Sequence, residues 1–179
     1  MTKFEVEIKA QCYDKNSFIE KVTGAGAVHV ETREEIDTYF NHSQKNFAET
    51  DEALRLRKIG DKTYITYKGP KVSTKSKTRL EEESIVESFD SVKKILLLLG
   101  FTEYGEVVKT RMVYNYSGIE ICIDTIEKLG DFIELETKSS HPQEAENNLL
   151  NIAGSFGITD FTRKSYLEMV LEEKLLDTI

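Results

Sequence analysis

The chain is poor in the side chains that most often carry chemistry alone. Its 179 residues include two cysteines and three histidines. Neither Cys12 nor Cys122 has a cysteine or histidine neighbour at metal-binding spacing, and His29, His42 and His141 form no HxxxH pattern. A histidine-based zinc or nucleophile site is set aside on that ground, and the two cysteines read as reduced, partly buried thiols. Long apolar runs are also missing. The longest is Ile95 to Leu99, far short of the roughly 18 residues of a membrane span. The opening Met1-Thr2-Lys3-Phe4-Glu5 has no apolar signal core, so a cytoplasmic protein with no membrane partner is expected. Positive charge is not in excess either. The net charge of −8 repels a nucleic-acid duplex and argues against that partner. A small polyanion is still admissible, because what matters to it is where the 24 lysines and arginines point.

What the sequence does have is alternation. Period-two patterns predict strands over 3–11, 35–41, 53–59, 62–69, 77–86, 106–116, 119–126 and 131–138. Gly60-Asp61 and Ser117-Gly118 suit tight turns between consecutive strands. Eight such strands suit a closed antiparallel barrel. Helical patterns interrupt them. The first starts near Asp14 to Ser17, where Ser17 and Glu20 have capping-box spacing, and ends at Gly24 with Phe18, Ile19 and Val22 on its apolar side. The second runs over about 88–99 with Phe89, Val92, Ile95, Leu96 and Leu99 in a stripe. The third opens at Pro142 and carries Ala145, Leu149, Ile152 and Phe156; the fourth spans about 165–175 with Leu167, Leu171 and Leu175 aligned. The polar, basic stretch 70–76 reads as a mobile loop. The expected architecture is one α+β domain over 1–179. A short echo, ExExK at Glu5–Lys9 and again at Glu134–Lys138, hints at two halves of similar build.

Residues i, i+2 and i+4 of a strand share a face. The polar faces then gather Glu5, Glu7 and Lys9; Arg55 and Arg57; Tyr64, Thr66 and Lys68; Arg79, Glu81 and Glu83; Lys109 and Arg111; Asp124; and Glu134, Glu136 and Lys138. The opposite faces are mostly apolar. Amphipathic helices need apolar surface to cover. If the apolar faces filled the barrel, the helices would meet only charge outside, so the charges are expected inside. Each buried ion loses several kcal/mol of solvation unless paired, and a pair at about 4 Å recovers about 4 kcal/mol at an effective dielectric of about 20. Such a lining fits a hydrated tunnel: arginine and lysine suit phosphate oxygens, and carboxylates suit Mg²⁺ or Mn²⁺. Gly24-Ala25-Gly26-Ala27 looks like a phosphate loop but follows a helix and reads as a helix cap.

These motifs resemble the CYTH superfamily of triphosphate tunnel metalloenzymes. Its ExExK signature stands as Glu5-Val6-Glu7-Ile8-Lys9. Later elements follow in order: Asp37-Thr38-Tyr39-Phe40, Leu54-Arg55-Leu56-Arg57, Tyr67-Lys68-Gly69-Pro70, Arg79-Leu80-Glu81-Glu82-Glu83, Lys109-Thr110-Arg111, Ile123-Asp124 and Leu129 to Glu136. The wording around Asp37 and Leu129 is similar to the class IV adenylyl cyclase branch. The resemblance implies an eight-stranded tunnel with flanking helices and a charged interior. It implies a metal site of Glu5, Glu7, Glu134 and Glu136, holding Mg²⁺ or Mn²⁺. It implies triphosphate binding by Lys9, Arg55, Arg57, Lys68, Arg79, Lys109 and Arg111, with Lys9, Arg111 and Asp124 as catalytic candidates. It also implies that Glu81, Glu83 and Asp124 orient the bases or bind a second metal. Conversion of ATP to cyclic AMP and pyrophosphate is the expected activity. Hydrolysis of thiamine triphosphate or tripolyphosphate, and non-catalytic binding of nucleotide or polyphosphate, are the alternatives, and a homodimer is a compatible assembly.

Overall fold

The computed structural model describes residues 3–176. In chain order the elements are β1 (Phe4–Cys12), α1 (Lys15–Gly24), β2 (Val28–His42), β3 (Ala53–Ile59), β4 (Lys62–Lys68), β5 (Arg79–Val86), α2 (Phe89–Leu98), β6 (Phe101–Tyr116), β7 (Ile119–Ile126), β8 (Gly130–Ser139), α3 (Pro142–Ser155), β9 (Phe161–Thr162) and α4 (Tyr166–Leu176). All paired strands are antiparallel, in the order β5-β4-β3-β2-β6-β7-β8-β1-β9, and a β5–β1 pairing closes eight of them into a barrel. The two-residue turns fall where the sequence placed them. Gly60 takes φ +53° between paired Ile59 and Lys62, and Ser117 and Gly118 both take positive φ between paired Tyr116 and Ile119.

The barrel is inside-out, as expected. Val6, Ile8, Ile121, Ile123, Ile133 and Leu135 face outward into a core with Phe18 and Val22 of α1 and Ala145, Leu149 and Ala153 of α3. A second core joins Leu54 and Leu56 of β3 and Phe40 to Leu96 of α2. Burying a leucine-sized side chain contributes about 1.5–3 kcal/mol, so the two cores supply the drive that keeps the charges turned inward. Pro142 stands in the first turn of α3, and Gly26 at φ +100° ends α1, its N–H donating to the Thr23 carbonyl.

Several local expectations are corrected. Asp14, not Ser17, caps α1: its side chain accepts from the Ser17 N–H. On α2 only Leu96 is buried and Ile95 and Leu99 stand in solvent, because the helix turns a narrower face to β3 and β6 than its apolar stripe offers. Strands β2 and β6 begin earlier than their alternation showed and pair along nearly their whole length, with bulges near Val30 and Tyr104 breaking the period. The 70–78 segment is tied down rather than loose. The Lys77 N–H donates to the Glu7 carbonyl, the Val72 N–H to the Thr78 carbonyl, and Ser76 to Thr78 are buried.

The internal echo has a different meaning. The two ExExK runs are neighbours, paired head to tail with Glu5 opposite Lys138, Glu7 opposite Glu136 and Lys9 opposite Glu134. The repeat in the architecture is β1-α1-β2-β3-β4 followed by β5-α2-β6-β7-β8. The strand order reads the same when the two halves are exchanged, which places a pseudo-two-fold axis through the barrel. The remaining α3, β9 and α4 are additions. Helix α3 covers the outside. Helix α4 departs from the expected covering role: Tyr166 and Leu167 pack with Val107, Ile126 and Phe132 on inward-facing positions, so α4 closes over one end of the tunnel. Leu171 lines the cavity there, and the Leu175 side chain lies outside the described residues.

Candidate active site: a charge-lined tunnel

A cavity of about 390 Å³ runs through the barrel. Every residue expected to bind phosphate lines it: Lys9, Arg55, Arg57, Lys68, Arg79, Lys109 and Arg111. So do Glu5, Glu7, Glu134 and Glu136, together with Glu81 and Glu83. Asp124 is not in that lining; it is fully buried behind Lys109 and Arg111.

Strand register creates the local geometry. Asp37 on β2 is directly opposite Arg57 on β3, and its carboxylate accepts from Nε at 2.6 Å and from a terminal nitrogen at 2.7 Å. In the second half, Arg111 on β6 is directly opposite Asp124 on β7 and donates in the same forked way at 2.7 and 2.6 Å. The pseudo-two-fold exchanges β2 with β6 and β3 with β7, so the two forks are equivalent with acid and base exchanged. A bidentate fork fixes the guanidinium plane, leaving the arginines few free rotamers. Lys109 adds a contact to Asp124 at 2.9 Å and one to Glu35 at 3.4 Å. Glu35, fully buried, also takes Arg57 at 2.9 Å and Arg33 at 2.8 Å.

On the β1–β8 wall, Lys9 pairs with Glu134 at 3.0 Å, and Arg111 reaches both Glu134 and Glu136. Lys77 holds Glu7 at 2.7 Å, and Lys68 bridges Glu5 at 2.7 Å and Glu81. Glu83 is at the mouth, bonded to Thr66 at 2.8 Å.

Burial opposes charge in this wall, and the partners of each shifted group decide the outcome. Burial pushes Asp37 up, but Arg55 and Arg57 outweigh it and hold the carboxyl below its ordinary value. Asp124 and Glu134 are likewise held low against burial, Asp124 by Arg111 and Lys109, Glu134 by Lys9 and Arg111. Lys68 is raised despite burial by Glu5 and Glu81. Two groups go the other way. Lys9 is drawn down to about 8 by burial and the nearby Lys77 charge. Glu136 is pushed up to about 8 by burial and then by Glu5, Glu134 and Glu7, against Arg111.

The carboxylates fit a hard divalent cation. Glu7 and Glu136 are cross-strand partners facing the cavity, and Glu136 is raised first by burial and then by the charges of Glu5, Glu134 and Glu7, which a bound cation would offset. Donor atoms of Glu120, Cys122 and Glu136 also lie within 4.8 Å of one another. Cys122 lies against this wall with its thiol raised by burial, and Cys12 is raised the same way; both are buried and free.

Sequence reasoning missed Glu35, Asp37 as a lining acid, Lys77 and Tyr166. Glu35 and Asp37 were available to it, since both lie two apart within the second predicted strand. Lys77 opens the fifth predicted strand, but the polar face was counted only from Arg79. Tyr166 was hidden because its helix was assigned to the outer surface.

Fold and lining together define a class: antiparallel tunnel proteins whose inner wall is a network of matched acids and bases. The chain belongs to the CYTH family, whose domain model matches residues 3–166. The family's members are triphosphate-processing enzymes that use divalent metals. A Methanocaldococcus jannaschii protein named "Putative adenylate cyclase" is 38% identical over 170 residues, covering 92% of this chain and 97% of its own. The adenylate cyclase CyaB of Aeromonas hydrophila is 28% identical over 137 residues, 74% of this chain and 68% of its own. A solved protein of Pyrococcus horikoshii superposes with a TM-score of 0.85 at 39% identity, covering 94% of this chain and 99% of its own. A Hippeastrum protein described by a dominant triphosphatase activity shares the fold at TM-score 0.66 and 18% identity, covering 92% of each chain. No helix among the described residues is long and apolar enough to cross a membrane.

Proposed function

We propose that this protein converts ATP to cyclic AMP and pyrophosphate with Mg²⁺ or Mn²⁺ bound. The observation that carries the triphosphate half is the pair of arginine–aspartate forks, which hold Arg57 and Arg111 rigid on the wall of one cavity. Fixed guanidiniums are suited to phosphate oxygens, which each can engage through its remaining N–H groups. The cyclase half rests on the likeness to a protein with that name over nearly the whole chain.

In this reaction the ribose 3′-hydroxyl attacks the α-phosphorus, the bond from that phosphorus to the bridging oxygen breaks, and the hydroxyl proton is released. Lys9, Arg55, Arg57, Lys68, Arg79, Lys109 and Arg111 bind and orient the phosphates. Asp124 acts through Arg111 and Lys109 and is a positioning residue. Glu5, Glu7, Glu134 and Glu136 would hold the cation, which supplies charge neutralisation on the phosphates. Glu81, held down to about 2 by Lys68 against burial, keeps that lysine in place, and Glu83 orients Thr66 and Arg55 at the mouth.

Incubation with ATP and Mg²⁺ or Mn²⁺, with products separated by chromatography, is the test. Cyclic AMP with one equivalent of pyrophosphate is expected. Orthophosphate without cyclic nucleotide would overturn the cyclase assignment and favour the second reading, triphosphate hydrolysis, which the Hippeastrum protein's described activity motivates.

A further inference from the structure

In a tunnel where nearly every polar group is paired, the unpaired ones are informative. Among the described residues four buried side-chain atoms lack a hydrogen-bond partner: Glu35 Oε2, Glu81 Oε2, Arg55 Nε and the Tyr166 hydroxyl. The two acceptors are not without compensation, since Arg57 lies 2.9 Å from Glu35 and Lys68 contacts Glu81. The two donors have no acceptor. A buried hydroxyl left without a partner costs about 1–3 kcal/mol, and nothing in the packing of Tyr166 requires one. Its ring stacks edge-on with Phe132 at 5.2 Å, an arrangement phenylalanine would serve as well. The unspent capacity is donor capacity, and both residues that hold it line the cavity.

Position adds the second half. Tyr166 is 6% exposed and lines the tunnel, its ring 3.4 Å from the Lys9 ammonium and 5.0 Å from that of Lys109. Both lysines are among the phosphate-binding candidates. An anionic oxygen drawn to these two ammoniums at the α4 end comes to the side of the tunnel where the ring sits. We infer that the Tyr166 hydroxyl is a substrate-binding group, donating a hydrogen bond to a phosphoryl oxygen of the triphosphate bound between Lys9 and Lys109. The site thereby includes α4, so the helix that closes the tunnel also reads its contents. The assignment deepens the proposed function and rests on its triphosphate half, independent of whether cyclisation or hydrolysis follows.

The test is Tyr166→Phe, which keeps the ring over the lysines and removes only the hydroxyl. Two measurements are made: thermal unfolding of the ligand-free protein, and calorimetric titration with tripolyphosphate in Mg²⁺. The expected result is an unchanged or higher melting temperature together with a dissociation constant raised about tenfold or more, the range for a hydrogen bond to a charged acceptor. Wild-type binding with equal affinity in Tyr166→Phe overturns the assignment alone, as does a lower melting temperature with unchanged affinity, which would reveal a partner within the protein. Wild-type protein that does not bind tripolyphosphate overturns the triphosphate reading as well.

Discussion

At the scale of the residue, the tunnel is a set of charges that cannot be removed singly. Asp124 is fully buried and satisfies Arg111 through two hydrogen bonds and Lys109 through a third. Removing one partner of such a cluster leaves uncompensated buried charge and costs about 3–5 kcal/mol. Asp124→Ala should therefore lower stability by that amount in urea unfolding, whereas Glu83→Ala, at the mouth, should cost less than about 1 kcal/mol. Equal effects would mean that burial does not govern these pairs. Acid acts on the same groups. Asp37 and Glu35 are held below their ordinary values by the surrounding guanidiniums and lysine, although burial pushes the other way. A depressed folded value means that the unfolded chain binds protons first, so the stability these pairs contribute is complete above about pH 5 and is lost as pH falls through about 4 towards 2. The urea midpoint should fall steadily across that window; a flat midpoint from pH 6 to 3 would contradict the account.

At the scale of the element, α4 is held by a close approach. A Cβ on Gly105 of β6 would stand 2.7 Å from Leu167 Cδ1 and 3.7 Å from Leu171 Cδ2, so two leucine side chains of the helix pack on the glycine backbone. Gly105→Val should lift α4 without disturbing the far cores, visible as faster hydrogen exchange over 166–171 with unchanged protection in β7 and β8. Unchanged exchange at α4 would show that the helix is held from elsewhere. The elements also show what was legible in advance. Strands with a clean alternation, such as β1, β3, β7 and β8, were placed within a residue or two, because apolar residues dominate one face and charged residues the other. Bulges in β2 and β6 interrupt that period and hid their first turns of pairing. Helix α4 was found, but its destination was not, because an apolar stripe states that a helix must be covered and not by what. The lining residues were legible wherever alternation was followed. Glu35 and Asp37 share a face of the second predicted strand and could have been counted with the lining; what alternation did not give is their partners, since the register places Lys109 and Arg57 opposite them.

At the scale of the whole molecule, the pseudo-two-fold arranges acids opposite bases. β2 supplies Glu35 and Asp37 where β6 supplies Lys109 and Arg111, and β3 supplies Arg57 where β7 supplies Asp124. The acids and bases of the wall consequently neutralise one another, with Lys9 on Glu134, Lys77 on Glu7 and Lys68 on Glu5. A polyphosphate entering alone must take bases away from carboxylates and leave those carboxylates bare. A divalent cation entering alone meets the opposite cost. Together they would satisfy both sides, so the proposed function requires metal and triphosphate to favour each other's binding, by the same factor in each direction. Calorimetric titration of the wild-type protein with tripolyphosphate, once in Mg²⁺ and once in EDTA, measures this coupling directly. One-to-one binding is expected in both, at least about tenfold tighter with metal, a coupling of about 1.4 kcal/mol. Absence of binding under both conditions, or equal affinity with and without metal, would contradict a tunnel designed around a metal–triphosphate complex.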